Sequence, residues 1–198
     1  MRLEEWGYRI LVVSASEKLS AALPGLLPAG TDSPVFSVTS VAAAKRVFAE
    51  QAFDFVIVNS PLPDDSGIRF ASDVCRAKGT VALLIVRADL AGEIYHETAR
   101  HGVFTLAKPT SHTAIAAALR WMVSARERLR AAEQKTQSIE EKMEEIRLVN
   151  RAKWMLIQKQ NMDEQQAHRY LEKQAMDRCV TKKEIALQIL QGGDGVCL

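Results

Sequence analysis

The hydrophobic pattern divides the chain into two unlike parts. In the first, short apolar runs recur at residues 8–13, 35–38, 53–58, 81–86 and 103–106. They are continuous and β-branched rather than alternating, which is how strands covered on both faces read. Between them, residues 17–27, 41–51, 68–77 and 92–101 read as helices. Strand and helix alternate throughout. That predicts βαβ crossovers and a parallel five-stranded sheet in an α/β fold. In such a fold the functional surface collects at the carboxyl ends of the strands.

The pattern changes after residue 113. Residues 113–150 contain neither glycine nor proline. Met122, Ala125, Leu129, Ala132, Thr136, Ile139, Met143 and Ile146 step alternately by three and four. This is the rhythm of a coiled-coil seam, and the residues between are mostly Arg, Lys and Glu. A projecting helix with one narrow apolar stripe must bury it, and a second copy of itself is the simplest partner. Met122, Ala125, Leu129, Ala132, Ile139, Met143 and Ile146 are therefore the expected dimer seam. Thr136 and Asn150 fall on a positions, where polar side chains fix register. The alternative is one amphipathic helix packed back on its own domain.

The last part is all-helical, and its caps can be read directly. Asn161 is a left-handed stop for the long helix. Asp163 with Gln166, and Thr181 with Glu184, form two capping boxes, each flanked by an apolar staple: Met162 with Ala167, and Val180 with Ile185. Gly192 and Gly193 end the last helix. The expected three-helix core is Ile146, Val149, Leu156 and Ile157, then Ala167, Tyr170, Leu171 and Ala175, then Ile185, Ala186, Ile189 and Leu190.

Composition alters this picture little. The net charge is +2 over 198 residues, too small to announce a nucleic-acid partner without local clustering. No apolar run reaches the ~20 residues of a membrane helix. The first eight residues carry Glu4 and Glu5 and lack the apolar centre of a signal peptide. Cys75, Cys179 and Cys197 are odd in number and far apart, which suits a reducing cytoplasm. No nucleophile–base pair, phosphate loop or metal-ligand spacing stands out, so neither an enzyme nor a metal or cofactor site is expected.

Residues 1–120 resemble a two-component receiver domain, with a CheY-like, flavodoxin-like fold. The resemblance rests on Ile10-Leu11-Val12-Val13, on Phe55 to Pro63, on Gly67 and on Leu106-Ala107-Lys108-Pro109. It implies a phosphoacceptor aspartate after the third strand, an acidic pair holding Mg²⁺, a hydroxyl after the fourth strand and a lysine. Here Asn59 stands at the acceptor position, Ser14 and Ala15 at the acidic pair, Arg87 at the hydroxyl and Thr105 at the aromatic switch. Only Lys108 is kept, to hydrogen-bond Asn59 or backbone carbonyls. A carboxamide cannot form an acyl phosphate. The expectation is a pseudo-receiver, with Arg87 filling the vacated pocket and pairing with Glu17 or Asp65. Asp64 and Asp65 read as turn residues rather than substitute acceptors.

Residues 146–190 resemble an ANTAR domain, the RNA-binding antitermination module of bacterial regulators. The matching residues run from Asn150 to Leu156 and from Met162 to Ala167, then Leu171, Ala175-Met176, Arg178, Lys182 and Ile185-Ala186. Trp154 replaces the glycine usual in that family; packing is its expected role, a base-stacking platform the alternative. The resemblance implies paired domains gripping RNA stem-loops in a leader transcript. Arg151, Lys153, Arg178, Lys182 and Lys183 are the expected contacts; Tyr170 and His168 are candidates to stack on a base, with the core the expected place of Tyr170.

The reading is thus a pseudo-receiver over residues 1–120, a coiled-coil connector over 121–145, an RNA-binding module over 146–190 and a flexible tail over 191–198. Order and types resemble the amide-responsive antiterminators, held inactive by a sensor protein. The competing readings are a phosphorylation-switched DNA-binding response regulator and a dimeric protein-binding scaffold.

Overall fold

The computed structural model describes residues 7–26, 34–77 and 79–192. Cys197, Gly193 and the expected tail beyond Gly192 lie outside the described residues. The chain forms two units, Met1–Ala132 and Glu133–Leu198.

The first unit is built on five parallel strands: β1 (Ile10–Val13), β2 (Val35–Val38), β3 (Phe55–Asn59), β4 (Val81–Arg87) and β5 (Phe104–Lys108), in the order β2-β1-β3-β4-β5. Strand alternation sends successive side chains to opposite faces. Leu11, Val13, Val56, Val58, Ala82, Leu84 and Val86 face α2 (Val41–Glu50), α3 (Ile68–Arg76) and α4 (Ala91–Thr98). Ile10, Val12, Phe55, Ile57, Val81, Leu83 and Ile85 face the other way. They meet Leu23, which follows α1 (Glu17–Ala22), and Ile115, Ala118, Leu119 and Met122 of α5 (His112–Gln160). Each fully buried Val, Leu, Ile or Phe contributes roughly 1.5–3 kcal/mol, so this two-faced sheet dominates the unit's stability. The continuous apolar runs of the sequence are explained: neither face is left to water.

Local chemistry sets the element ends. Pro24 has no N–H to donate, and α1 tightens there into a 3-10 turn over Leu23–Leu26. Gly67, the residue before α3, has φ +75°, and a Cβ there would lie 2.6 Å from Val58 Cγ1. Only glycine fits both demands.

A polar clasp fixes α5 to the amino-terminal side of the sheet. Asp54, just before β3, accepts from Arg126 Nε at 2.9 Å and from the Arg9 backbone N–H at 3.0 Å, with Arg130 Nη2 at 3.8 Å. The Tyr8 hydroxyl donates to Glu127 at 3.0 Å, and Glu127 also meets Arg130 at 3.1 Å. Burial, reinforced by the Glu127 hydrogen bond, pushes the Tyr8 phenol up to about 12. Gly79, at φ +80°, leaves room for the Arg126 guanidinium, whose Cζ would be 3.0 Å from a Cβ.

This packing corrects the seam. Met122 is 0% exposed and belongs to the core beneath the sheet, and Ala125 packs against the same core. Both keep the three–four rhythm because a helix lying on a sheet also shows one apolar face. The stripe that stays exposed is Leu129, Ile139, Met143 and Ile146, together with Ala132.

In the second unit, α5 runs on to Gln160 and stops at Asn161, whose φ is +52°. Then come α6 (Glu164–Asp177) and α7 (Lys182–Gln191). Both capping boxes form in full. Gln166 N–H donates to Asp163 Oδ1 at 2.7 Å and Asp163 N–H to Gln166 Oε1 at 2.9 Å. Glu184 N–H donates to Thr181 Oγ1 at 3.2 Å and Thr181 N–H to Glu184 Oε2 at 2.9 Å. Ala152, Leu156, Ala167, Leu171, Ala175, Ile185, Ala186 and Ile189 are buried together. Ile146, expected in this core, is 59% exposed and takes no part in it. It lies about 120° around the helix from Ala152 and about 80° from Leu156, off the face that those two share.

Candidate functional site

The carboxyl ends of β1, β3, β4 and β5 bring Ser14, Ala15, Asn59, Arg87 and Lys108 to one edge of the sheet. There the Asn59 carboxamide Nδ2 donates to Ser14 Oγ at 2.9 Å. Ser14 is almost wholly buried, and its hydroxyl donates to the Ser16 carbonyl at 3.1 Å while accepting from the Ser16 N–H at 3.0 Å. Lys108 Nζ donates to the Ser60 carbonyl at 2.5 Å, the backbone alternative of the two expected for it. Burial holds its ammonium below the ordinary lysine range. Hydroxyl, methyl and carboxamide groups thus stand where a receiver presents carboxylates. Mg²⁺ is usually held through one or two carboxylates, and this donor set does not fit it.

Arg87 does not fill that pocket. Its guanidinium grips Asp89, Nε to Oδ1 at 3.1 Å and Nη2 to Oδ2 at 2.7 Å, and is 65% exposed. The expected pairing with Glu17 or Asp65 is overturned, because a carboxylate two residues on is reached in a fork geometry without desolvating the cation. The nearby acids are engaged elsewhere. Asp64 accepts from the Val41 and Ala42 N–H groups, each at 2.9 Å, and so caps α2 from a distant loop. Those backbone bonds, Ala42 first, hold its carboxyl below the usual range. Asp65 Oδ1 accepts from the Gly67 N–H at 2.7 Å. Asp65 is a turn residue as expected, whereas Asp64 is a long-range cap that local reading misses.

In the second unit the five expected basic residues separate into two groups. Lys153 pairs with Glu164 at 3.2 Å, Lys182 with Glu172 at 2.6 Å, and Arg178 Nη1 donates to Gln188 at 3.0 Å. Arg151 is exposed and Lys183 half-buried, and neither has an ion pair among the described residues. Glu172 also meets His168 Nε2 at 3.2 Å, and Lys182 before His168 depresses its carboxyl pKa. Tyr170 is half-buried against the three-helix core. Trp154 contradicts its expected packing role: it is 65% exposed, on the side of α5 facing away from Ala152 and Leu156.

Comparison with known proteins gives these two units their relatives. Residues 137–190 match the ANTAR domain family. Over 140 residues the chain is 31% identical to "Transcriptional regulatory protein PdtaR" of Mycobacterium tuberculosis, strains CDC 1551 and H37Rv, covering 70% of this chain and 67% of the relative. A response regulator receiver domain protein from Clostridium thermocellum superposes with a TM-score of 0.51 at 20% identity, covering 62% of this chain and 98% of that one. The signal receiver domain of an HD domain-containing protein from Pseudomonas fluorescens Pf-5 gives 0.55 at 19% identity, covering 66% and 96%. A structure described as adenylate cyclase from Rhodopirellula baltica gives 0.59 at 18% identity, covering 67% and 98%. At such identities these structures establish the receiver fold and nothing about chemistry.

Proposed function

Because the chain belongs to the family of ANTAR response regulators, with a receiver domain ahead of the ANTAR domain, we propose that it is a transcription antitermination regulator that binds RNA stem-loops. The observation that carries this is the ANTAR match over residues 137–190, which spans the segment folded as the three-helix core. The protein acts as a cytoplasmic homodimer, with the first unit, through Ala132, as a pseudo-receiver, the stretch of α5 from Glu133 to Glu145 as connector and residues 146–190 as the RNA-binding module. Leu129, Ala132, Ile139, Met143 and Ile146 form the seam. Arg151 and Lys183, which keep their charge unspent among the described residues, contact phosphate first; Lys153, Arg178 and Lys182 must exchange a protein partner for one. Lysine and arginine on phosphate supply most sequence-independent affinity.

Control comes from dimerisation or from a sensor protein rather than from phosphorylation. Asn59 has no carboxylate to phosphorylate, and its amide is committed to Ser14. Two assays on the full chain test this. Incubation with acetyl phosphate and Mg²⁺ leaves the intact mass unchanged, and a stable added phosphoryl group contradicts the reading. At 150 mM salt the same unphosphorylated protein shifts hairpin RNA at least tenfold more tightly than duplex DNA of equal length; equal or inverted affinities contradict it.

A further inference from the structure

We propose that Trp154 is a stacking platform for an unpaired nucleobase, with Arg147 and Arg151 holding the phosphates beside it. The proposal deepens, and rests on, the RNA-binding reading. Arg147, Asn150, Arg151, Trp154 and Gln158 are all exposed. At about 100° per residue they fall within roughly 100° of arc on one side of α5. The opposite side carries Ala152 and Leu156 into the three-helix core. The stripe therefore offers one flat indole between two guanidinium groups and two carboxamides.

Charge identifies the occupant. Residues 133–145 of the same helix contain Glu133, Glu140, Glu141, Glu144 and Glu145 against two lysines. Residues 146–162 contain Arg147, Arg151, Lys153 and Lys159 and no acid. The helix thus changes sign about two turns before the tryptophan. A polyanion that also presents an aromatic face meets both features, and an unpaired RNA loop is such a ligand. A second copy of the chain fits less well. With Asn150 at an a position Trp154 falls at e, which in a parallel pair meets the partner's g residues. At this level those are Val149 and Leu156, both turned into their own three-helix core.

The test uses the full chain, Trp154→Ala and Trp154→Phe, and two hairpin RNAs with one stem: one with a randomised six-nucleotide loop, one with that loop abasic. Stacking of one base is worth about tenfold in affinity or more. Trp154→Ala is expected to bind the looped hairpin about tenfold more weakly, with an unchanged salt slope, and to match wild type on the abasic loop. Trp154→Phe recovers most of the loss. Tryptophan emission that is quenched by the looped hairpin in wild type is not quenched in Trp154→Phe. Equal binding of both hairpins by wild type and Trp154→Ala overturns the platform while leaving RNA binding intact. So does an equal loss on both loops, or a change of solution mass in Trp154→Ala, which assigns the indole to folding or the seam. Failure of wild type to shift either hairpin overturns the RNA reading itself, and the platform falls with it.

Discussion

Leu171→Ala is expected to unfold the carboxyl-terminal unit and leave the receiver unit folded. Leu171 is fully buried at the middle of α6, one turn from Ala167 and Ala175, in the cluster with Leu156, Ile185 and Ile189. Removing a buried leucine side chain costs about 2–5 kcal/mol. A core of about this size rarely supplies more than ~3–5 kcal/mol by itself. The loss is therefore comparable with the whole stability of the unit, whereas the sheet of the first unit does not contain this residue. Hydrogen exchange followed by mass spectrometry should show α6 and α7 exchanging near the unprotected rate, with β1, β3 and β4 still protected. RNA binding should disappear in parallel. Full protection of α6 in the variant would contradict the assignment of this cluster as the unit's only large core among the described residues.

Ile139→Glu with Met143→Glu is expected to convert the proposed dimer to monomer. Both side chains are about half exposed in the single chain and touch no buried core. They are therefore free of the double duty that disqualifies Met122. Paired across a seam they become buried, and two glutamates per chain would place four unpaired carboxylates in an apolar contact. Burying an uncompensated charge costs several kcal/mol, so dimer dissociation should strengthen more than a hundredfold. Light scattering should then report the monomer mass at concentrations where wild type is dimeric. Because the substitutions face solvent in the monomer, its helical signal should be kept. A variant that stays dimeric would move the interface elsewhere.

What could be read from the chain was what depends on neighbours in sequence. The strands were legible because both faces of the sheet are covered, and the capping boxes because Asp163 and Gln166, like Thr181 and Glu184, are three residues apart. The ANTAR and receiver resemblances were legible for the same reason, as ordered local motifs. Two of the failures involve distance. The Asp64 cap on α2 spans 23 residues, and the Arg126–Asp54 bond spans 72. Neither leaves a periodic trace. Met122 deceived because a seam and a sheet-facing helix have nearly the same period, and only tertiary packing decides between them. Arg87 deceived in the other direction: a local partner, Asp89, won over a distant one. Trp154 shows that residue type alone is a poor guide to burial when the helix face it occupies is otherwise polar.

The most direct measurement is the mass, by sedimentation, of the complex formed by unphosphorylated full-length protein with a hairpin RNA. The account predicts two chains on the RNA in the absence of any phosphodonor. A complex holding one chain, or one that forms only after treatment with acetyl phosphate, would contradict it.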